Sequence, residues 1–168
     1  MTDATDERPY PPRNADEKTM LESYLDWYRI AIVEKLEGLS DEDAKRRLVS
    51  SETTLFGIVH HLAYVERWWF QDVFAGRTVE YPWTDDDPDA EWHVDSGVSA
   101  AQAIALYQQE CEENRKITSA ASPDDLARHE RFQDMSLRRI MVHMIEETAR
   151  HAGHADILRE LIDGTTDE

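Results

Sequence analysis

An all-α four-helix bundle, with one long loop between its second and third helices, is the fold that this sequence of 168 residues predicts. Three observations lead there. Apolar residues recur at threes and fours over four separate stretches, as they do on the buried stripe of a helix. Capping residues, serine before a stretch and glycine after it, stand at the edges of those stretches. No stretch alternates with the period of two that marks a half-buried strand. Four helices of about five turns each in so short a chain bury their stripes against one another.

Residues 1–16, MTDATDERPYPPRNAD, are polar and proline-bearing, so they read as a flexible extension or a strap outside the folded unit. That unit is expected to span 17–164, with 165–168 as a tail. The first helix carries Met20, Tyr24, Trp27, Tyr28, Ala31, Ile32 and Leu36, and Gly38 supplies its stop. Ser40 followed by Asp43 has the form of an N-cap, which predicts a short helical turn over 41–48. The second helix, from about Thr54 to Phe74, places Leu55, Ile58, Val59, Leu62, Val65, Trp69 and Val73 on one face and ends at Gly76.

The stretch 77–97, RTVEYPWTDDDPDAEWHVDSG, has neither periodicity. A loop of that length inside a small domain serves as a lid, a binding loop or an interface. We read it as a connection across one end of the bundle, pinned by Trp83 and Trp92, with a lid as the alternative. Ser99 and Gln102 form a capping box that opens the third helix, which runs through Ile104, Tyr107, Cys111 and Ile117. A connection over 119–135, with one helical turn after Pro123, leads to Ser136, the cap of the fourth helix. Its stripe is Leu137, Ile140, Met141 and Met144, then Ala155, Leu158, Leu161 and Ile162, closing at Gly164.

Composition narrows the function. With 36 acidic against 18 basic residues the net charge is −18, which repels both a phosphate backbone and an anionic lipid surface. Nucleic-acid and membrane-surface partners are therefore not expected. The single cysteine, Cys111, allows no internal disulfide and suits a reducing compartment, where it reads as a packing residue. The N-terminus has no basic start followed by an apolar run, and no stretch approaches the roughly 20 apolar residues of a membrane span. The expected compartment is the cytoplasm.

The fourth stripe is interrupted by Glu147, His151 and His154. Glu147 and His151 are four apart, so they share one helical face with Cβ atoms roughly 6 Å apart, close enough to chelate one ion. An ionised carboxylate on a buried face is costly, and a bound cation is one of the few neighbours that reverses the cost. A third ligand must come from another helix. The second helix offers His60 and His61; His61 shares an edge with Ile58, Val65 and Trp68, whereas His60 is turned about 100° away. His61, Glu147 and His151 thus form the expected set, with an open fourth position as in catalytic zinc sites. His143 could chelate with Glu147, and His154 could act as a hydrogen-bonding neighbour of the ligands. Read blandly, each histidine is a hydrogen-bonded core or rim residue and Glu147 pairs with Arg139 or Arg150. Glu66, Tyr64, Trp68 and Trp69 read as packing or capping groups of the second helix, the first three with a pocket role as the alternative. The residue after His143 is Met144, so there is no HExxH motif of the zincin proteases.

Residues 60–69, HHLAYVERWW, and 143–160, HMIEETARHAGHADILRE, resemble the two metal-bearing helices of the DinB/YfiT-like superfamily, and the helix order and long loop resemble it along nearly the whole chain. That superfamily includes thiol-dependent S-transferases and mycothiol-dependent maleylpyruvate isomerases. Its helix-two histidine matches His61. Its HxxxHxGQ pattern falls on Glu147, His151, Gly153 and His154, with glutamate for the first histidine, as in the isomerase branch, and histidine for the glutamine. The resemblance implies a divalent metal, zinc first and nickel or iron(II) otherwise. It also implies a low-molecular-weight thiol such as mycothiol as nucleophile toward a small electrophile, in an S-transferase or a thiol-dependent isomerase. A homodimer is compatible with it. Two other readings stand beside this one: a metal- or small-ligand-binding helical protein without turnover, and a non-haem iron enzyme, which two histidines and one carboxylate also suit.

Overall fold

Side-chain caps taken from the sequence open the long helices of the computed structural model, which describes residues 8–93 and 97–166; expectations for 1–7, 94–96 and 167–168 lie outside the described residues. Helix α1 (Glu17–Glu34) begins where Asp16 accepts from the Thr19 amide, and α2 (Asp41–Ala44) begins at Ser40, stopping short of the expected 48. Helix α3 (Leu55–Glu66) starts at Thr54, and α4 (Ala100–Ser119) has both halves of the Ser99–Gln102 capping box. Helix α5 (Leu137–Asp163) starts at Ser136 and ends at Gly164, whose φ of 78° is the left-handed cap that glycine adopts without strain. The described residues form no strand; pairing is limited to one antiparallel bridge between Leu126 and Ser136. In place of a helical turn after Pro123, the Ala127 amide donates to the Met135 carbonyl at 2.8 Å and draws the connection back on itself.

The second helix departs from its expected form. After Glu66 it continues to Phe74 as a π-helix, Arg67–Phe74. A four-residue row drifts by about 40° per step on an α-helix, and wider turns remove that drift. Leu62, Glu66, Phe70 and Phe74 accordingly stay buried in one line, while Trp69, expected on the buried face, is partly buried and packs against the cluster that holds Phe70 and Met144, beside Trp68 and Phe132.

Helix α1 packs along α5, and α3 along α4, with α3 also against α5. Two apolar clusters fill the bundle. One joins Ile32, Leu36, Phe56, Ile58, Leu62, Tyr107 and Leu158; the other joins Leu25, Phe70, Val73, Leu137, Ile140 and Met144. Between them lies a buried polar knot. Arg29 grips Glu66 through Nε at 2.7 Å and Nη2 at 2.6 Å, and Asn114 donates to the same carboxylate at 2.7 Å. Residues 8–16 lie against α1, where Tyr10 meets the Trp27 ring edge-on and Arg8 pairs with Glu34 at 3.0 Å. No described helix is long and apolar enough to cross a membrane.

Candidate metal centre

The packing of α3 against α5 brings His61, Glu147 and His151 together, each partly buried, with one ligand atom from each within 4.8 Å of the others. Glu147 Oε1 lies 3.2 Å from His151 Nε2 and 3.6 Å from His61 Nε2. Among the described residues this is the group of His, Cys, Asp and Glu that could hold an ion. The four-residue spacing of Glu147 and His151 is the reason both reach one point.

The 77–97 loop completes the site. Within it, the 3₁₀ segment Ala90–Trp92 docks on α3. The Trp92 ring stacks on His61 at 4.3 Å, and Glu91 Oε1 lies 3.3 Å from His61 Nδ1. Trp83 stacks on Tyr81 and meets Tyr64 edge-on. Both tryptophans therefore pin the loop. Gly57 makes room for this: a Cβ there would come within 3.1 Å of Trp92 Cε3.

The protonation states favour an ion. Burial raises the Glu147 carboxyl, but His151 and His61 outweigh it and hold Glu147 below the ordinary carboxylate range. Burial, then repulsion from His61, pushes His151 below the ordinary histidine value, with Glu147 offsetting part of the drop. An ionised carboxylate and a neutral imidazole are the forms that ligate. His61 has carboxylate oxygens on both sides, Glu91 at Nδ1 and Glu147 near Nε2. Two imidazole nitrogens and a carboxylate oxygen within reach of one point are donors of the kind a divalent metal takes, and the set fits one on that ground.

His154 is exposed, its ring 5.8 Å from that of His151, so it borders the site without contributing to the ligand group. His143 pairs with Glu146 at 3.4 Å and packs on Trp69, outside the ligand group. His60, expected to turn away from the apolar face, is buried: its Nδ1–H donates to the Glu91 carbonyl at 2.6 Å, and the docked loop covers it. Arg150 is exposed, engages Glu146 and reaches Glu147 Oε2 at 3.9 Å. Arg139 is exposed, and Glu66 is consumed by Arg29 and Asn114. Glu91 was not among the expected site residues; loops have no period from which its burial could be read.

A cleft of about 390 Å³ opens beside His61, walled by Val65, Trp68, Tyr81, Trp83, Pro88 and Glu91. A larger groove of about 440 Å³ runs between α1 and α4 past Arg29, Tyr107 and Cys111, and shares none of the ligand residues. Burial pushes the Cys111 thiol far above its ordinary value, which makes it a packing group and no nucleophile at neutral pH.

The family model of the mycothiol S-transferases matches residues 20–164. The chain belongs to that family. The DinB-like resemblance read from the second and fourth helices holds at this level, and His61, Glu91, Glu147 and His151 all fall within the matched segment. The crystal structure of a conserved protein from Enterococcus faecalis aligns with a TM-score of 0.66 over 90% of this chain and 100% of that chain, at 12% identity. That likeness shows the shared helical fold. Among curated proteins none matches the sequence.

Proposed function

We propose that this mycothiol S-transferase family member is a metal-dependent S-transferase, in which His61, Glu147 and His151 hold one divalent ion, zinc by preference. The observation that carries the reading is the convergence of those three ligand atoms at the edge of an aromatic cleft. An ion held there lowers the pKa of a coordinated thiol and so supplies a thiolate at neutral pH. The chain's own part is to position and to exclude. Trp92 covers the His61 ring, and Val65, Trp68, Trp83 and Pro88 offer apolar walls to a small electrophile. Sulfur forms a bond to the electrophilic carbon, the leaving group departs with its electron pair, and the thiol proton passes to solvent.

Among the described residues the cleft walls include no lysine or arginine, and Arg150 is already engaged by Glu146. That lining favours an uncharged electrophile. It disfavours the isomerase alternative for a dicarboxylate substrate, which needs cationic anchors. The cytoplasm, where low-molecular-weight thiols stay reduced, is the compartment that suits this chemistry.

The test is conjugation of a neutral aryl halide by zinc-loaded protein, with mycothiol present or omitted. The expected result is product formation that requires mycothiol and falls at least about 100-fold in His61→Ala. Turnover that requires oxygen and iron and ignores the thiol would establish the non-haem iron reading instead. Stoichiometric metal with no thiol-dependent product would leave a binding protein without turnover.

A further inference from the structure

We propose that Glu91, on the loop between the second and third bundle helices, is a positioning residue that fixes the tautomer of His61 so that its Nε2 lone pair faces Glu147 and His151. The inference rests on the metal reading above. Its observations come from another part of the chain.

Glu91 is 7% exposed although it belongs to a loop, and three contacts account for its place. The His60 Nδ1–H donates to its backbone carbonyl at 2.6 Å, which ties the 3₁₀ turn to α3 one residue before the candidate ligand. The neighbouring Trp92 lies nearly parallel to the His61 ring, with an interplanar angle of 24°, and leaves the ring little freedom to flip. The Glu91 carboxylate then meets His61 Nδ1 at 3.3 Å on the side away from Glu147. A carboxylate is an acceptor only, so the imidazole proton resides on Nδ1 and the lone pair on Nε2. Histidines that ligate metals are commonly held this way, and removing the partner typically costs about 10- to 100-fold in affinity. Consecutive histidines thereby divide the work: His60 anchors the loop, and the loop orients His61.

The alternative is a carboxylate that only pins the loop. Two readouts separate the roles: the ¹⁵N chemical shifts of the His61 ring in metal-free protein, and the zinc dissociation constant from chelator competition. Both are compared among wild type, Glu91→Ala and Glu91→Gln, with folding checked by circular dichroism. The expected result is an Nδ1–H tautomer in wild type that is lost in Glu91→Ala. Zinc affinity should fall about 10- to 100-fold in Glu91→Ala, with part of it restored in Glu91→Gln, whose amide oxygen still accepts. An Nε2–H tautomer in wild type overturns the proposal. So does zinc binding in folded Glu91→Ala that stays within about twofold of wild type. A wild-type protein that takes up no zinc removes the metal reading and this inference together; zinc binding indifferent to Glu91 removes this inference alone.

Discussion

Glu66 and Glu147 both face inward in this bundle, and their surroundings are opposites. Glu66 is fully buried and closed: both oxygens are taken by Arg29, and Asn114 adds a third short bond. Glu147 is partly buried and open. Its neighbours are two imidazoles at 3.2 and 3.6 Å and the tip of Arg150 at 3.9 Å. A buried carboxylate that is completely paired is part of the scaffold, and breaking such a pair leaves an uncompensated charge. The counter-charge of Glu147 is the exposed Arg150 at 3.9 Å, and a cation held between the imidazoles would supply a closer one. The contrast separates a structural acid from a ligand.

The largest expected effect belongs to the closed pair. Arg29→Ala should cost about 3–5 kcal/mol in urea denaturation, chelator present or not. A loss under about 1 kcal/mol would mean that water reaches Glu66 and that the knot is not closed. At the open pair, zinc at about 100 times its dissociation constant should stabilise wild type by about 2.7 kcal/mol. Glu147→Ala and His151→Ala should abolish that shift while keeping most of the metal-free stability. A shift that survives in both variants would place the ion elsewhere.

Metal-free protein should also report the site through pH. His60 and His151 have folded pKa values lowered from 6.5, so their neutral forms favour the folded state. Their contribution is present above that value and declines as pH falls below it, because the unfolded chain then binds more protons. Glu147, lowered from 4.5, adds a second decline at more acidic pH. Urea midpoints that stay level or rise on acidification from neutrality would contradict this. The smallest effect is expected at His154→Ala: zinc affinity within about twofold of wild type, since the ring is exposed and outside the ligand group. A larger loss would bring His154 into the site.

Much of this contrast was legible in the sequence, and unevenly so. Caps and 3.6-residue spacing are local, so Ser99 with Gln102, Ser136 and Gly164 mark real helix ends. Glu147 and His151 announce themselves because both interrupt one stripe at a four-residue interval. Glu66 gives no such signal. Its partners lie 37 and 48 residues away, and only the assembled bundle distinguishes it from a capping or pocket residue. The π-helical Arg67–Phe74 does not obey a 3.6-residue period, so the fully buried Phe70 lies outside the stripe that this period picks out. An isolated helix turns His60 away from the apolar face, but the docked Ala90–Trp92 turn buries it.

The measurement to make is the metal content of protein purified without chelators or an affinity tag, beside the His61→Ala and Glu147→Ala variants. About one equivalent of a divalent ion in wild type, lost in both variants, is the expected result. Wild type that holds no ion and takes up none from zinc, nickel or iron(II) would contradict it, and would leave Glu147 as a partly buried acid paired with two histidines and Arg150.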